Sequence, residues 1–237
     1  MNHGYDAFVL SDINNTSACL DALRRAPELG LNIVPGIDFR NGVDQQYIGI
    51  AQNNEGFMEL NRHLSVHLHH QTAIDALAPE FNHVYVVYPF SKYKGHKLRD
   101  NAYLGITAKE LTLLPLSPYK HLVHKMVVLQ TVSFQNKAYF NAHRLLRSMD
   151  ENKLLSRLEK HEQAQGDEMM LHVDVLFSQY KSYPIILTNT RQLLDNCKVD
   201  FQYGKLANKN LKHYTGSASG DFELLRNSCY ENLKYRY

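Results

Sequence analysis

Short apolar runs alternate with amphipathic stretches along most of the chain. Ala7 to Leu10 reads as a buried strand that ends at Ser11-Asp12. Asn14 and Asn15 then offer side-chain oxygens as a helix cap, and Ala18, Leu20, Leu23 and Ala26 supply an apolar stripe. Gly30 is a natural stop for that helix. Ile33 to Phe39 predicts a second strand, Tyr47 to Ala51 a third, Val84 to Tyr88 a fourth, and Met126 to Gln130 another. Between them, Asn53 and Asn54 precede a helix carrying Phe57, Leu60, Leu64 and Leu68 at helical spacing. Asn141 to Met149 and Lys153 to Leu158 read as helical. Pro184 to Cys197 fits either a strand over Ile185 to Leu187 or a helix with Pro184 in its first turn. Asp221 to Tyr237 reads as an amphipathic helix with Phe222, Leu225, Cys229 and Leu233 on one face.

Strands alternating with helices at this spacing predict a parallel α/β architecture, with any chemistry just beyond the carboxyl ends of the strands. Asp12, Asp38 and the residues after Leu129 occupy those positions. The 237 residues suffice for one large domain, or one and a fraction. The formal charge is only +2, from 26 Lys plus Arg against 24 Asp plus Glu, which argues against a protein that coats nucleic acid. Lys92, Lys94, Lys97 and Arg99 do form a local basic run with Tyr93, but the run lacks the flanking aromatics of a base-stacking platform. No apolar stretch approaches the roughly 20 residues that span a bilayer. The first ten residues show no basic segment followed by a long apolar run, so a cytoplasmic protein without a secretion signal is expected. Cys19, Cys197 and Cys229 are odd in number and far apart, and read as buried free thiols in a reducing cytosol.

Candidate chemistry is sparse. His63 and His67 stand four apart on a predicted helix and could clamp a metal, but Leu64 follows His63 where a hydrolytic His-Glu-x-x-His site carries glutamate. Solvated histidines at a helix end are the favoured reading. No Gly-x-Gly-x-x-Gly run or Gly-Lys-Ser/Thr pair occurs, and Ser11, Ser133 and Cys19 lack a motif that marks a nucleophile. Asp12 and Asp38 could converge on a barrel rim and hold a divalent cation. The favoured alternative has Asp12 bonding the backbone of the turn that follows it.

Five segments in order resemble one family. LSDINNTSACLDAL (10–23) resembles the Thr-Asp-His-Asn strand end and following helix of PHP domains, the polymerase and histidinol phosphatase superfamily. GLNIVPGIDFR (30–40) resembles that family's next strand, written Pro-Ile-x-Gly-x-Glu. AQNNEGFMELNRHLS (51–65) resembles the Asn-x-Glu-Gly-aromatic-x-x-Leu segment of bacterial DNA polymerase III alpha subunits. IILTNTRQLLDNCKVDFQYG (185–204) resembles the Asn-Thr helix and Phe-x-x-Gly exit of those subunits. LLRNSCYENLKYRY (224–237) resembles their lead into the polymerase palm.

The resemblance implies an α/β fold, a PHP-type distorted (β/α)7 barrel truncated so that its first strand is lacking. Residues 1–200 would form that barrel domain, and 201–237 a connecting segment and helix leading toward a palm. Active members hold divalent metals with His, Asp and Glu side chains and hydrolyse phosphate esters. By the same resemblance this chain is degenerate. Asp12 survives beside Ile13 where the family has histidine, Asp38 replaces glutamate, and Thr131-Val132-Ser133 stands for Asp-Val-His. Asp12, Asp38 and His143 remain as vestigial metal candidates, with no catalytic or cofactor-binding residue expected. A divalent metal would bind only if that site survives. The implied role is a non-catalytic, structural region of a replicative DNA polymerase, packed against the remainder of the alpha subunit and near a proofreading subunit. It would meet DNA only through the full-length polymerase and would have no membrane partner. The rival is a residual metal-dependent phosphoesterase or 3′–5′ exonuclease.

Overall fold

A computed structural model describes residues 3–204 and 212–236. The chain falls into two compact units, one through Phe201 and one from Gln202 onward. Six strands of the first unit form a single sheet in chain order. They are β1 (Ala7–Ile13), β2 (Asn32–Asn41), β3 (Asp44–Ala51), β4 (Val84–Pro89), β5 (Ala102–Ile106) and β6 (Met126–Val128).

The expectation of an all-parallel sheet is corrected at β3, which runs antiparallel to both β2 and β4. Only Gly42 and Val43 separate β2 from β3, and Asn41 pairs directly with Asp44. A parallel crossover needs a dozen or more residues, so this connection can only be a hairpin. Gly42 makes it possible by taking a φ of 61°. The remaining pairs, β1 with β2, β4 with β5 and β5 with β6, are parallel as the alternation predicted.

Helices cover both faces. Helix α1 (Cys19–Arg25) contacts β2, and α2 (Asn54–His70) lies on β3. Asn53 caps α2, its side-chain oxygen accepting from the Gly56 amide at 3.0 Å. A Cβ at Gly56 would fall 1.9 Å from the His83 carbonyl oxygen, so glycine there lets α2 meet the sheet end closely. Leu60 and Leu64 of α2 are buried with Ile37, Phe39, Tyr47, Val84, Val86 and Leu104. Each fully buried large apolar side chain in this cluster contributes about 1.5 to 3 kcal/mol.

On the other face, α5 (Pro184–Asp195) contributes Leu193 to a second cluster with Val34, Ile50, Val87, Val127 and Cys197. Helix α5 contacts both β6 and β1, the two edge strands, and Arg191 of α5 pairs with Asp6 at 2.6 Å. A helix of twelve residues is about 18 Å long. It reaches both edges because the sheet curls around it into a half-barrel. The helical reading of Pro184 to Cys197 is thus the one realised.

Two further helices, α3 (Lys137–Asp150) and α4 (Val173–Gln179), follow β6 in the first unit. The helix expected over Lys153 to Leu158 is a single 3-10 turn at Leu155–Arg157. Strand β5 and helix α4 carried no clear sequence signal. The second unit contains α6 (Ala218–Arg236), where Ser217 Oγ accepts from the Gly220 amide and Asp221 accepts from Thr215. Phe222, Leu225 and Leu233, predicted to share one face of this helix, are all exposed, as is Cys229. Tyr237, the expected end of the helix, lies outside the described residues. Among the described residues no helix is long and apolar enough to cross a membrane.

Candidate functional site

Asp12 stands at the carboxyl end of β1 and Asp38 is level with that end on the parallel β2, which runs on to Asn41, but the register separates them. Asp12 pairs with Ile37, and Ile13 pairs with Asp38. Side chains alternate faces along a strand, and directly paired positions share a face. The two carboxylates therefore leave opposite sides of the sheet, and the expected convergence on one rim does not occur.

Asp12 lies on the α1 side. Its charge, second to burial itself, helps to push the buried Cys19 thiol up to about 11. Its side chain makes no hydrogen bond among the described residues, so it does not hold the following turn. The neighbouring asparagines do that work. Asn15 Oδ1 accepts from the Ser17 amide at 2.7 Å. Asn14, at φ 46°, reaches across to β2: its Oδ1 accepts from the Arg40 amide at 3.0 Å, and its Nδ2 donates to the Arg40 carbonyl at 2.8 Å. Asparagine tolerates this left-handed backbone better than most residues. The helix cap expected of this pair is not formed, since α1 begins at Cys19 without a side-chain cap.

Asp38 is buried and fully engaged. Its Oδ2 accepts from Arg40 Nε at 2.9 Å and Arg40 Nη2 at 2.6 Å, while Oδ1 accepts from Gln45 Nε2 at 2.8 Å. The side chains are 6% exposed for Asp38 and 19% for Arg40. Position i+2 on a strand returns to the same face, and the β2–β3 hairpin brings Gln45 opposite Arg40. Arg40 and Gln45 were not singled out from the sequence, although Asp-x-Arg on a predicted strand is the signal that identifies the ion pair.

His143 sits on α3, and its Nε2 accepts from the Ala164 amide at 2.9 Å. Burial, with a smaller push from Arg147 and an opposing pull from Glu168, holds its pKa below the ordinary histidine value. That lone pair is committed to the backbone and is not offered to a metal. Among the described residues no three His, Cys, Asp or Glu side chains are grouped so as to hold a metal ion. Asp12, Asp38 and His143 are thus not assembled into one centre.

The other histidine candidates divide: His69 and His70 fit the solvated reading, and His63 and His67 depart from it. His63 Nε2 is 2.8 Å from Tyr47 Oη, and its ring packs edge-on against Phe39 and Phe81. Burial, then the neighbouring His67, lowers its pKa, and Asp75 opposes them. His67 Nδ1 meets Thr72 Oγ1 at 2.9 Å, while His69 and His70 at the helix end are exposed. The His63 imidazole is a core group that satisfies a fully buried tyrosine hydroxyl, rather than half of a metal clamp.

Of the basic run, Lys92 pairs with Asp44, and Arg99 Nη1 donates to the Ala78 and Pro79 carbonyls. No known family's sequence profile matches this chain, and no curated protein matches it in sequence.

Proposed function

We propose that the chain is a PHP-like α/β scaffold that has lost the metal-dependent phosphoesterase centre of that family. On this reading it is a structural, non-catalytic region of a replicative DNA polymerase of the bacterial polymerase III alpha type, acting in the cytoplasm. The observation that carries the loss of chemistry is the closure of Asp38 by Arg40 and Gln45. A divalent cation at this strand end would have to displace a guanidinium and then sit beside its positive charge, which disfavours the bound state. The opposed faces of Asp12 and Asp38 point the same way, because multi-metal hydrolysis needs several anionic ligands on one centre.

The polymerase assignment rests on the five collinear segments, and the curled sheet is compatible with a distorted barrel. Its partners are then the remainder of the alpha subunit and a proofreading subunit, with DNA reached through the full-length enzyme. The purified chain, given Mn²⁺ or Zn²⁺ and bis(p-nitrophenyl) phosphate, is expected to show no turnover above that of Asp12→Ala. Turnover that Asp12→Ala abolishes would replace this reading with the residual phosphoesterase or exonuclease. For the polymerase half, the genomic DNA around the reading frame is expected to continue into a palm with acidic metal ligands. A stop codon directly after Tyr237 would sink it.

A further inference from the structure

A cavity of about 360 Å³ opens between the loop 93–98 and the 3-10 turn Lys120–Lys125 that precedes β6. Tyr93 and Tyr119, with ring centroids 4.7 Å apart, form its aromatic wall. His96, Lys97, His121, His124 and Lys125 supply the polar lining, and no Asp or Glu is among the described residues that line it.

The two lysines are not neutralised. Lys97 is exposed and makes no hydrogen bond or ion pair among the described residues. Lys125 Nζ donates to the Asp100 carbonyl at 2.7 Å and lies 5.2 Å from the Tyr103 ring centroid, with no carboxylate as partner. His121 Nδ1 meets the Pro118 carbonyl at 3.0 Å, and His124 Nδ1 meets the His121 carbonyl at 3.2 Å. A carbonyl only accepts, so in each ring Nδ1 carries the proton, and Nε2 is an acceptor without a partner among the described residues.

His96 gives a second, independent sign. Its ring packs edge-on against Tyr88 and Tyr93, both at 4.8 Å, and it lines this cavity and a smaller one beside it. Its Nε2 is buried without a hydrogen-bond partner. Such atoms are rare in folded proteins and mark a place where a partner is missing.

We propose that this cavity binds a small phosphomonoester, with its phosphate held by Lys97 and Lys125 and its organic body against Tyr93 and Tyr119. A phosphate dianion matches the charge of two ammonium groups, which a singly charged carboxylate does not. The volume falls within the range of small-ligand pockets, about 300 to 1,000 Å³, rather than that of a groove tracking a polymer. This site does not depend on the polymerase reading, because none of its residues belongs to the strand-end cluster.

Isothermal titration of the full chain with phenyl phosphate is the test, with benzyl alcohol as the neutral control. Saturable binding of phenyl phosphate alone is expected, weakened about tenfold in Lys97→Gln by loss of one charge-assisted contact. Lys125→Gln is expected to weaken it by a similar factor, because it removes the other cationic donor. Absence of saturation, or affinities unchanged in both variants, would overturn the proposal. Displacement of the probe by a single-stranded oligonucleotide that binds more tightly would assign the cavity to nucleic acid instead.

Discussion

Near the end of β2, both oxygens of a buried Asp38 are filled from within the same hairpin, by Arg40 and Gln45. In the loop between β4 and β5, a buried imidazole nitrogen of His96 has no partner among the described residues, and two lysines face a cavity that no described carboxylate lines. The first region spends its polar groups on holding the fold. The second leaves them available. Sequence reasoning looked for function in the first region, because strand ends of α/β proteins usually carry it. A polar cluster whose valences are all met internally is architecture, wherever it sits.

The largest effect that separates the two regions is expected from Arg40→Met. Removing one member of a buried ion pair strands the other, at a cost of about 3 to 5 kcal/mol for full burial. Because Arg40 remains 19% exposed, about 3 kcal/mol is expected, read as a lower midpoint in urea unfolding with an unchanged slope. A loss below about 1 kcal/mol would mean that the pair behaves like a surface salt bridge.

Acidification should give an intermediate effect. The pKa values of His63, His96 and His143 are all lowered, chiefly by burial. The unfolded chain therefore takes up protons near pH 6.5, before the folded chain does. Stability is full above that value and falls as pH drops through it toward the folded values. The urea midpoint is expected to be lower at about pH 5.5 than at about pH 7.5, and His96→Gln should flatten part of the slope. A midpoint that rises on acidification would contradict the sign. The smallest effect is expected from Lys97→Gln, where an exposed residue without partners should change stability by less than about 0.5 kcal/mol. Calorimetry of that variant separates its effect on ligand binding from any effect on folding.

Much of the local structure was legible. Apolar runs located five of the six strands, and Asn53 followed by Leu60 and Leu64 gave α2 with its cap. Gly30 closed the first helical region as expected. Strand β5 was missed because Ala102–Ile106 is short and follows a basic loop. The antiparallel sense of β3 escaped because a period of two marks a strand without giving its direction, although the two-residue gap after Asn41 was a usable signal. The apolar stripe drawn on α6 did not correspond to burial, since helical spacing shows only that a face exists and not that anything covers it.

The sequence by itself determined which stretches are strands and helices, where α2 is capped, and that acidic residues stand near the ends of β1 and β2. Only the tertiary structure decided that Asp12 and Asp38 face apart, and that Asp38 is closed by an arginine. It also brought Tyr119, His121 and His124 to the basic loop around Tyr93, which lacked flanking aromatics in the sequence. The physical reason is one of range. Periodicity and capping are set by neighbours a few residues away, whereas strand register and the lining of a cavity depend on contacts between segments that the chain itself does not bring together.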